Sequence, residues 1–210
     1  PRAEARAPHR AYQPYTRTLR LDPHAPLLVQ KGIGAQTARH FEAGGYPGPG
    51  FLQGCVAIRL HDPDGRPLGY AGRRLDPAQA LHAGKWKFPP GLPKRELLYG
   101  FHRLPSPLPQ GLVVVECPWG AMRLAQLGIP AVALLGIHLS RPQLQLLRRT
   151  PRIVLMLDGD PAGQSASRQI ADTLNSYTAA PVRRIELPAG LDPDDLNDSE
   201  LARRLSPLLR

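Results

Sequence analysis

The sequence predicts an α/β protein: a mainly parallel four-stranded sheet flanked by helices, preceded by a smaller α+β subdomain. After Pro109-Gln110-Gly111, apolar runs at Leu112 to Val115, Ala131 to Leu135, Ile153 to Leu157 and, less purely, Val182 to Leu187 alternate with stretches of helical spacing. That alternation is βαβαβαβ, which right-handed crossovers fold into a parallel sheet. Upstream, two strand-like runs flank a strong turn signal, as an antiparallel hairpin does. The 210 residues, 42% of them hydrophobic, give room for one large domain or two small ones with a real core.

Residues 1–26 carry Pro1, Pro8, Pro14, Pro23 and Pro26 among several arginines, with no apolar periodicity, and form a first unit: an extended basic arm or linker. Residues 27–108 form the second. There Leu27 to Ile33 and Thr37 to Phe41 predict a short helix, a turn and a second helix ending at Gly44-Gly45. Cys55 to Leu60 and Pro67 to Gly72, parted by Asp62-Pro63-Asp64-Gly65, predict a hairpin. Arg73 to Arg95 reads as a basic, irregular segment holding Trp86 and Phe88. Residues 109–190 hold the parallel unit, with helices at Trp119 to Leu127, Ser140 to Leu147 (Ser140 as N-cap) and Ala162 to Tyr177. Residues 191–210 hold an acidic motif and a last helix expected from Asp195 to Leu205.

A formal net charge of +10, from 27 Lys+Arg against 17 Asp+Glu, favours an acidic partner, and nucleic acid suits it best. Cys55 and Cys117 form no CxxC pair and the histidines are scattered, so no zinc site is expected within this chain. With no signal peptide and no membrane-length apolar run, a cytoplasmic protein without membrane contact is expected. The chain opens at Pro1 rather than Met, as a fragment would.

The chemistry concentrates at strand ends. The run Ile153 to Leu157 stops at Asp158-Gly159-Asp160, and Leu112 to Val115 stops at Glu116. Ligands gather at the carboxyl ends of parallel strands, which all face one way, so Glu116, Asp158 and Asp160 converge on one cleft. Asp192 and Asp194, after the fourth strand, can join them. Clustered carboxylates repel unless a cation lies between them, and Mg2+ is usually held by one or two carboxylates plus phosphate oxygens. The pattern points to metal-dependent phosphoryl transfer, in which two metals orient nucleotide phosphates and stabilise leaving pyrophosphate. Each acid has a plainer use: a helix N-cap or turn former, or, for Asp192 and Asp194, a cap of the last helix.

The motifs Val113-Val114-Val115-Glu116, Leu134-Leu135-Gly136, Leu157 to Gly163 and Leu187 to Asp194 resemble the Toprim domain of bacterial-type (DnaG-type) DNA primases. Upstream, Lys31-Gly32-Ile33, Asp64-Gly65-Arg66, Gly69 to Arg73 and Leu98-Tyr99-Gly100 resemble, in order, the amino-terminal half of the primase polymerase core. The resemblance spans about residues 27 to 197 and implies a Rossmann-like Toprim fold that makes RNA primers on single-stranded DNA from nucleoside triphosphates. It implies Glu116, Asp158 and Asp160 as catalytic, the same acids with Asp192 and Asp194 as ligands of a pair of Mg2+ or Mn2+ ions, and a separate zinc-binding or helicase protein as partner. It places Arg73, Lys85 and Lys94 near template or nucleotide; Trp86 and Lys87 interleave with them as a stacking and phosphate surface. The chain departs from the pattern at Cys117, where glycine is expected, at Gly120, where aspartate is expected, and at Phe88, which replaces an asparagine. A Toprim nuclease and a catalytically weak nucleic-acid-binding accessory of a mobile element remain alternatives.

Overall fold

The computed structural model describes residues 12–209. Residues 1–11 of the expected basic arm lie outside the described residues.

Two four-stranded sheets share one hydrophobic core. The first half opens with two short helices, α1 (Pro26–Gln30) and α2 (Ala35–His40), and three strands, β1 (Ala43–Gly45), β2 (Cys55–His61) and β3 (Pro67–Arg74). It continues with α3 (Pro77–Ala83) and a two-residue strand, β4 (Trp86–Lys87), and the antiparallel order is β1-β2-β3-β4. The second half alternates β5 (Leu112–Val115), α4 (Pro118–Gln126), β6 (Ala131–Ala133), α5 (Arg141–Leu147), β7 (Ile153–Leu155), α6 (Pro161–Tyr177) and β8 (Val182–Arg184), and closes with α7 (Asp198–Leu209). Its sheet is wholly parallel, in the order β6-β5-β7-β8.

The parallel strands read as continuous apolar runs because both their faces are covered. Val113, Val115, Val154 and Met156 face α4 and α7, whereas Leu112, Val114, Ile153 and Leu155 face α5 and α6. This period-two alternation puts every residue from Ile153 to Leu157 in the interior, at 1% exposure or less. Truncating any one of these large side chains to alanine should cost about 2–5 kcal/mol. Tyr99 bridges Ala133 on the outer side of β6, with Tyr99 N–H donating to Ala133 O at 2.8 Å, so that edge is paired.

The hairpin forms as the turn chemistry requires: Asp62 Oδ1 accepts from Asp64 N–H (3.0 Å) and Arg66 N–H (2.8 Å). Ser140 caps α5 reciprocally with Gln143, whose amide also donates to Leu97 O (2.7 Å) and Leu134 O (3.1 Å).

Four expectations need correction. Gly44-Gly45 does not end a helix; α2 stops at His40, Glu42 takes φ 52°, and both glycines lie in β1. Glycine is needed there because a Cβ on Gly44 would stand 2.5 Å from Asp22 O, where the arm crosses the strand. The segment Arg73 to Arg95 is not irregular throughout, since it ends β3 and contains α3 and β4. The last helix starts at Asp198, with Asn197 Oδ1 accepting from Glu200 N–H at 2.9 Å, so Asp192 and Asp194 are not its caps. The described part of the arm is extended but fastened: Tyr15 N–H donates to Leu68 O (2.9 Å) and Leu19 N–H to the Tyr70 hydroxyl (3.0 Å).

Away from the strand ends, Glu42 ties α2 to β2 and to the turn at 101–103, accepting from Arg59 and from Arg103 (3.0 Å) with His61 Nε2 at 3.2 Å. Burial alone would raise its carboxyl, but the Arg59 hydrogen bond and the surrounding cations hold it below the usual range. Among the described residues no helix is long and apolar enough to cross a membrane.

Candidate active site

Backbone close approach shapes the turn after β7. A Cβ on Gly159 would lie 2.2 Å from Pro188 O and 2.8 Å from Leu191 O, and Gly159 N–H donates to Leu191 O at 2.8 Å. Only glycine therefore lets the 188–191 loop close over the Asp158-Gly159-Asp160 turn. Gly163 does the same for α6, since a Cβ there would meet Asp158 O at 2.4 Å. These close approaches bring the acids of the last loop beside those at the ends of β5 and β7.

The cleft so formed has a volume of about 160 Å3 and is lined by the acids Glu116, Asp158, Asp192 and Asp194 and by the cations Lys31, Arg73 and Lys85. Trp86, Phe88 and Cys117 complete its walls together with Leu135, which holds φ 63° at the end of β6 with its N–H on Glu116 O (3.1 Å). A non-glycine residue in the left-handed region is held there by its surroundings, and such strain clusters at functional sites.

The carboxylates raise one another. Burial, then Glu116, Asp192, Asp194 and Asp160, push Asp158 up to about 8. Burial, then Asp160 and Asp192, raise Glu116 against the pull of Lys85. Asp192 is likewise raised by burial and by Asp194 and Asp195, against Lys31 and Lys85. Asp158 Oδ1 is buried with no hydrogen-bond partner. Asp194 is answered by Lys31, whose Nζ lies 2.5 Å from Asp194 Oδ2 and 3.4 Å from Asp195 Oδ1; the first is an ion pair rather than a well-directed hydrogen bond. Burial alone would lower the Lys31 ammonium, but the two acids outweigh it and raise its pKa.

Asp160, beside Glu116 and Asp158, has a structural task as well. It is the N-cap of α6, its Oδ1 accepting from Gly163 N–H at 2.6 Å, so one of its oxygens is committed to the helix. Asp192 lines the cleft and heads the short helical turn 193–195, its own N–H donating to Asp195 Oδ2 at 2.9 Å.

The expected basic and aromatic residues divide between two faces. Arg73 and Trp86 are paired across β3 and β4 and face the cleft, whereas Lys87, the next residue, points to the opposite face, with its Nζ 4.5 Å from the Phe51 ring centroid. The structure thus does not bring Lys87 to the acids. Trp86 rests on Trp119 of α4 (5.1 Å between centroids) and on Phe88 (6.2 Å), so part of its ring is already covered. Lys94 lies over Phe88 at 4.8 Å and lines an adjoining hollow with Arg95 and His138; Leu135 and Gly136 line both hollow and cleft.

Cys117 is driven up to about 12, chiefly by burial, and is inert as a thiol. Gly120 sits where α4 meets the acidic loop, and a Cβ there would be 3.3 Å from both Pro193 and Val115. Sequence reasoning gave Lys31 no role beyond its motif, and it missed Arg123, whose guanidinium donates to Gly32 O (3.0 Å), Leu196 O (3.3 Å) and Asp198 (2.6 Å). Arg123 thereby anchors both the first half and the acidic loop to α4.

Residues 113–197 match the Toprim-like family. The DNA primase of Legionella pneumophila is 35% identical over 168 residues, covering 74% of this chain and 29% of that protein. The crystal structure of the Aquifex aeolicus primase, with its zinc-binding and RNA polymerase domains, superimposes with a TM-score of 0.70 at 25% identity, covering 87% of this chain and 54% of that one. A DnaG primase catalytic domain bound to single-stranded DNA gives 0.69 at 25% identity, covering 86% and 68%. The chain carries a Toprim domain of the DNA primase type. It spans less than a third of the length of the curated primases it matches. Glu116, Asp158, Asp192 and Asp194 all fall inside the matched Toprim stretch. Arg73, Lys85, Trp86 and Lys94 come from the part before it.

Proposed function

We propose that this chain binds single-stranded DNA along its basic cleft and transfers nucleotidyl groups there to build a short RNA primer. The observation that carries this reading is the meeting, in one cleft, of acids from three strand ends with Lys31, Arg73 and Lys85.

Among the described residues no three acidic, histidine or cysteine side chains stand close enough to ligate one ion by themselves. Mg2+ does not need such a trio, because it keeps waters and takes substrate phosphate oxygens beside one or two carboxylates. The unpartnered Asp158 Oδ1 and the mutual repulsion of Glu116, Asp158 and Asp192 fit that mode of binding. In this reading Asp158 and Glu116 would hold Mg2+ or Mn2+ with help from Asp160, Asp192 and Asp194. When bound, such ions supply charge neutralisation at the triphosphate and activation of the attacking hydroxyl.

The protein's own residues do the rest. Lys85 and Arg73 meet triphosphate or template charge at the cleft, and Lys94 does so from the adjoining hollow. The attacking hydroxyl oxygen bonds to the α-phosphorus, the bond to the bridging oxygen breaks, and pyrophosphate leaves. Glu116, at the cleft end of β5, accepts the hydroxyl proton. Trp86 offers the part of its ring that Trp119 leaves free to a template base.

A single-stranded template, ribonucleotides with one labelled, and Mg2+ or Mn2+ test the proposal. Incorporation that disappears in Asp158→Ala supports it, and no incorporation by the parent chain defeats it. The second reading, a binding accessory without turnover, draws on Cys117 and on Gly120, the two positions beside the acids where the chain leaves the Toprim pattern. Template binding that survives Asp158→Ala, with no product from either protein, would favour that reading.

A further inference from the structure

The outer face of the first sheet, turned away from the acids, holds a groove of about 790 Å3. Its walls are aromatic: Tyr12 and Tyr15 from the arm, Tyr46 and Phe51 from the loop before β2, and Tyr70 from β3, with Pro89-Pro90 closing one end. Among the described residues, no acidic side chain lines it. The arm is fixed in place, with the Tyr12 hydroxyl donating to Leu68 O at 2.8 Å and the Tyr70 hydroxyl accepting from Leu19 N–H. The Tyr12 and Tyr70 rings therefore stand at set positions with little freedom left to lose. Tyr15 and Phe51 remain 46% and 40% exposed, so each still offers ring surface to a ligand.

None of the groove's described lining residues is charged, but cations stand beside it. Lys87 holds its ammonium 4.5 Å from the Phe51 centroid, and Arg17 and Arg20 are exposed on the arm just after Tyr15. One short segment of chain, Trp86 to Pro90, contributes walls to both the cleft and the groove. The edge strand β4 is only two residues long; Trp86 enters the cleft, Lys87 turns to the opposite face over Phe51, and the chain then runs through Phe88, in the cleft wall, to Pro89 and Pro90, in the groove wall. A polymer leaving the cleft past Trp86 and Phe88 meets the aromatic groove as soon as it rounds that edge.

We propose that the groove is a second single-strand subsite, in which Tyr15, Phe51 and their neighbours stack two or more template bases while Lys87, Arg17 and Arg20 meet the phosphates between them. It rests on the reading of the cleft as a template site. The chemistry is that of sequence-tolerant single-strand binding: aromatic platforms for bases and cations for the backbone. A proline-rich peptide could use the same rings but would bring no phosphates to the cations.

The test uses the whole chain and two oligodeoxythymidylates, one of about five nucleotides, which fills the cleft alone, and one of about fifteen, which also reaches round β4. The longer strand should bind more tightly. The double variant Tyr15→Ala with Phe51→Ala, checked for fold by circular dichroism, should weaken the longer strand at least about fivefold per ring removed. It should leave the shorter one unchanged, and Tyr15→Phe should retain binding. With 5-iododeoxyuridine placed along the longer strand, crosslinks should move from Trp86 to Tyr15 or Phe51 as the label moves away from the cleft. Crosslinks confined to Trp86 and Phe88, with the longer strand indifferent to the double variant, would overturn the subsite while leaving the cleft reading intact. Binding of a proline-rich peptide in the groove without any crosslink from the oligonucleotide would overturn it too. Crosslinks to Tyr15 or Phe51 with none at Trp86 would leave the subsite standing and defeat the template path through the cleft.

Discussion

Replacing Asp158 by asparagine should stabilise the metal-free protein at alkaline pH. Asp158 is pushed from its ordinary 3.8 up to about 8 by burial and by four neighbouring acids, so its ionised form is disfavoured in the folded state. Because its folded pKa is the higher, the folded state holds the proton more tightly than the unfolded chain does. Stability from this group is thus fully present below pH 4, falls as pH rises, and is wholly lost above about 8. At about 1.4 kcal/mol per tenfold in proton affinity the full shift would reach about 6 kcal/mol, but solvent at the cleft mouth screens much of it, and about 2 kcal/mol is a sounder expectation. For a chain of this length that is a rise of roughly 4–8 °C in Tm. The assay is thermal denaturation of both proteins in EDTA from pH 4 to pH 8.5. Asp158→Asn should melt higher at pH 8.5 and converge on the parent near pH 4. A variant that melts lower at pH 8.5, or an offset that does not change with pH, would refute the claim that buried repulsion governs this residue.

Other consequences follow from the same geometry. Lys31→Met should tighten Mn2+ binding measured by calorimetry, since Lys31 now answers Asp194 and lowers the negative field of the cleft; weaker binding would contradict that role. Gly159→Ala places a methyl group within 2.2 Å of Pro188 O and should destabilise the fold by several kcal/mol in urea titration, at least about 2 kcal/mol, whereas an unshifted midpoint would mean the 188–191 loop yields freely. Lys85→Ala with Lys94→Ala should lower the salt slope of binding to a five-nucleotide strand by roughly one for each phosphate left without its cation, whereas Lys87→Ala should not alter that slope. Arg123→Ala removes hydrogen bonds to Gly32, Leu196 and Asp198 and should cost about 3 kcal/mol by denaturant titration, since it leaves the buried Leu196 carbonyl without its side-chain donor and unties the loop from α4.

The parallel half was legible because its strands are buried on both faces. That condition makes Leu112 to Val115 and Ile153 to Leu157 unbroken apolar runs, and it puts Glu116 and Asp158 at their ends. The hairpin was legible because Asp62-Pro63-Asp64-Gly65 carries its own hydrogen-bonding chemistry. Less could be read where structure leaves no periodic trace. The helix α3 buries none of its residues and β4 has two, so Arg73 to Arg95 shows no pattern to count. Lys31 meets Asp195 across 164 residues, a pairing no local spacing reveals. The opposite orientations of Trp86 and Lys87 follow from strand geometry, but only once β4 is known to be a strand. The double use of Asp160, as helix cap and as neighbour of Glu116, was present in the sequence as two rival readings, and the structure shows the capping one in place.

The most direct test of the central claim is the anomalous scattering of Mn2+ in crystals of the chain grown with a non-hydrolysable ribonucleoside triphosphate and a single-stranded oligonucleotide. The account predicts a Mn2+ peak against Asp158 and Glu116, with the triphosphate reaching toward Lys85 and Arg73. Mn2+ bound elsewhere, or a triphosphate seated with no metal at these acids, would contradict it.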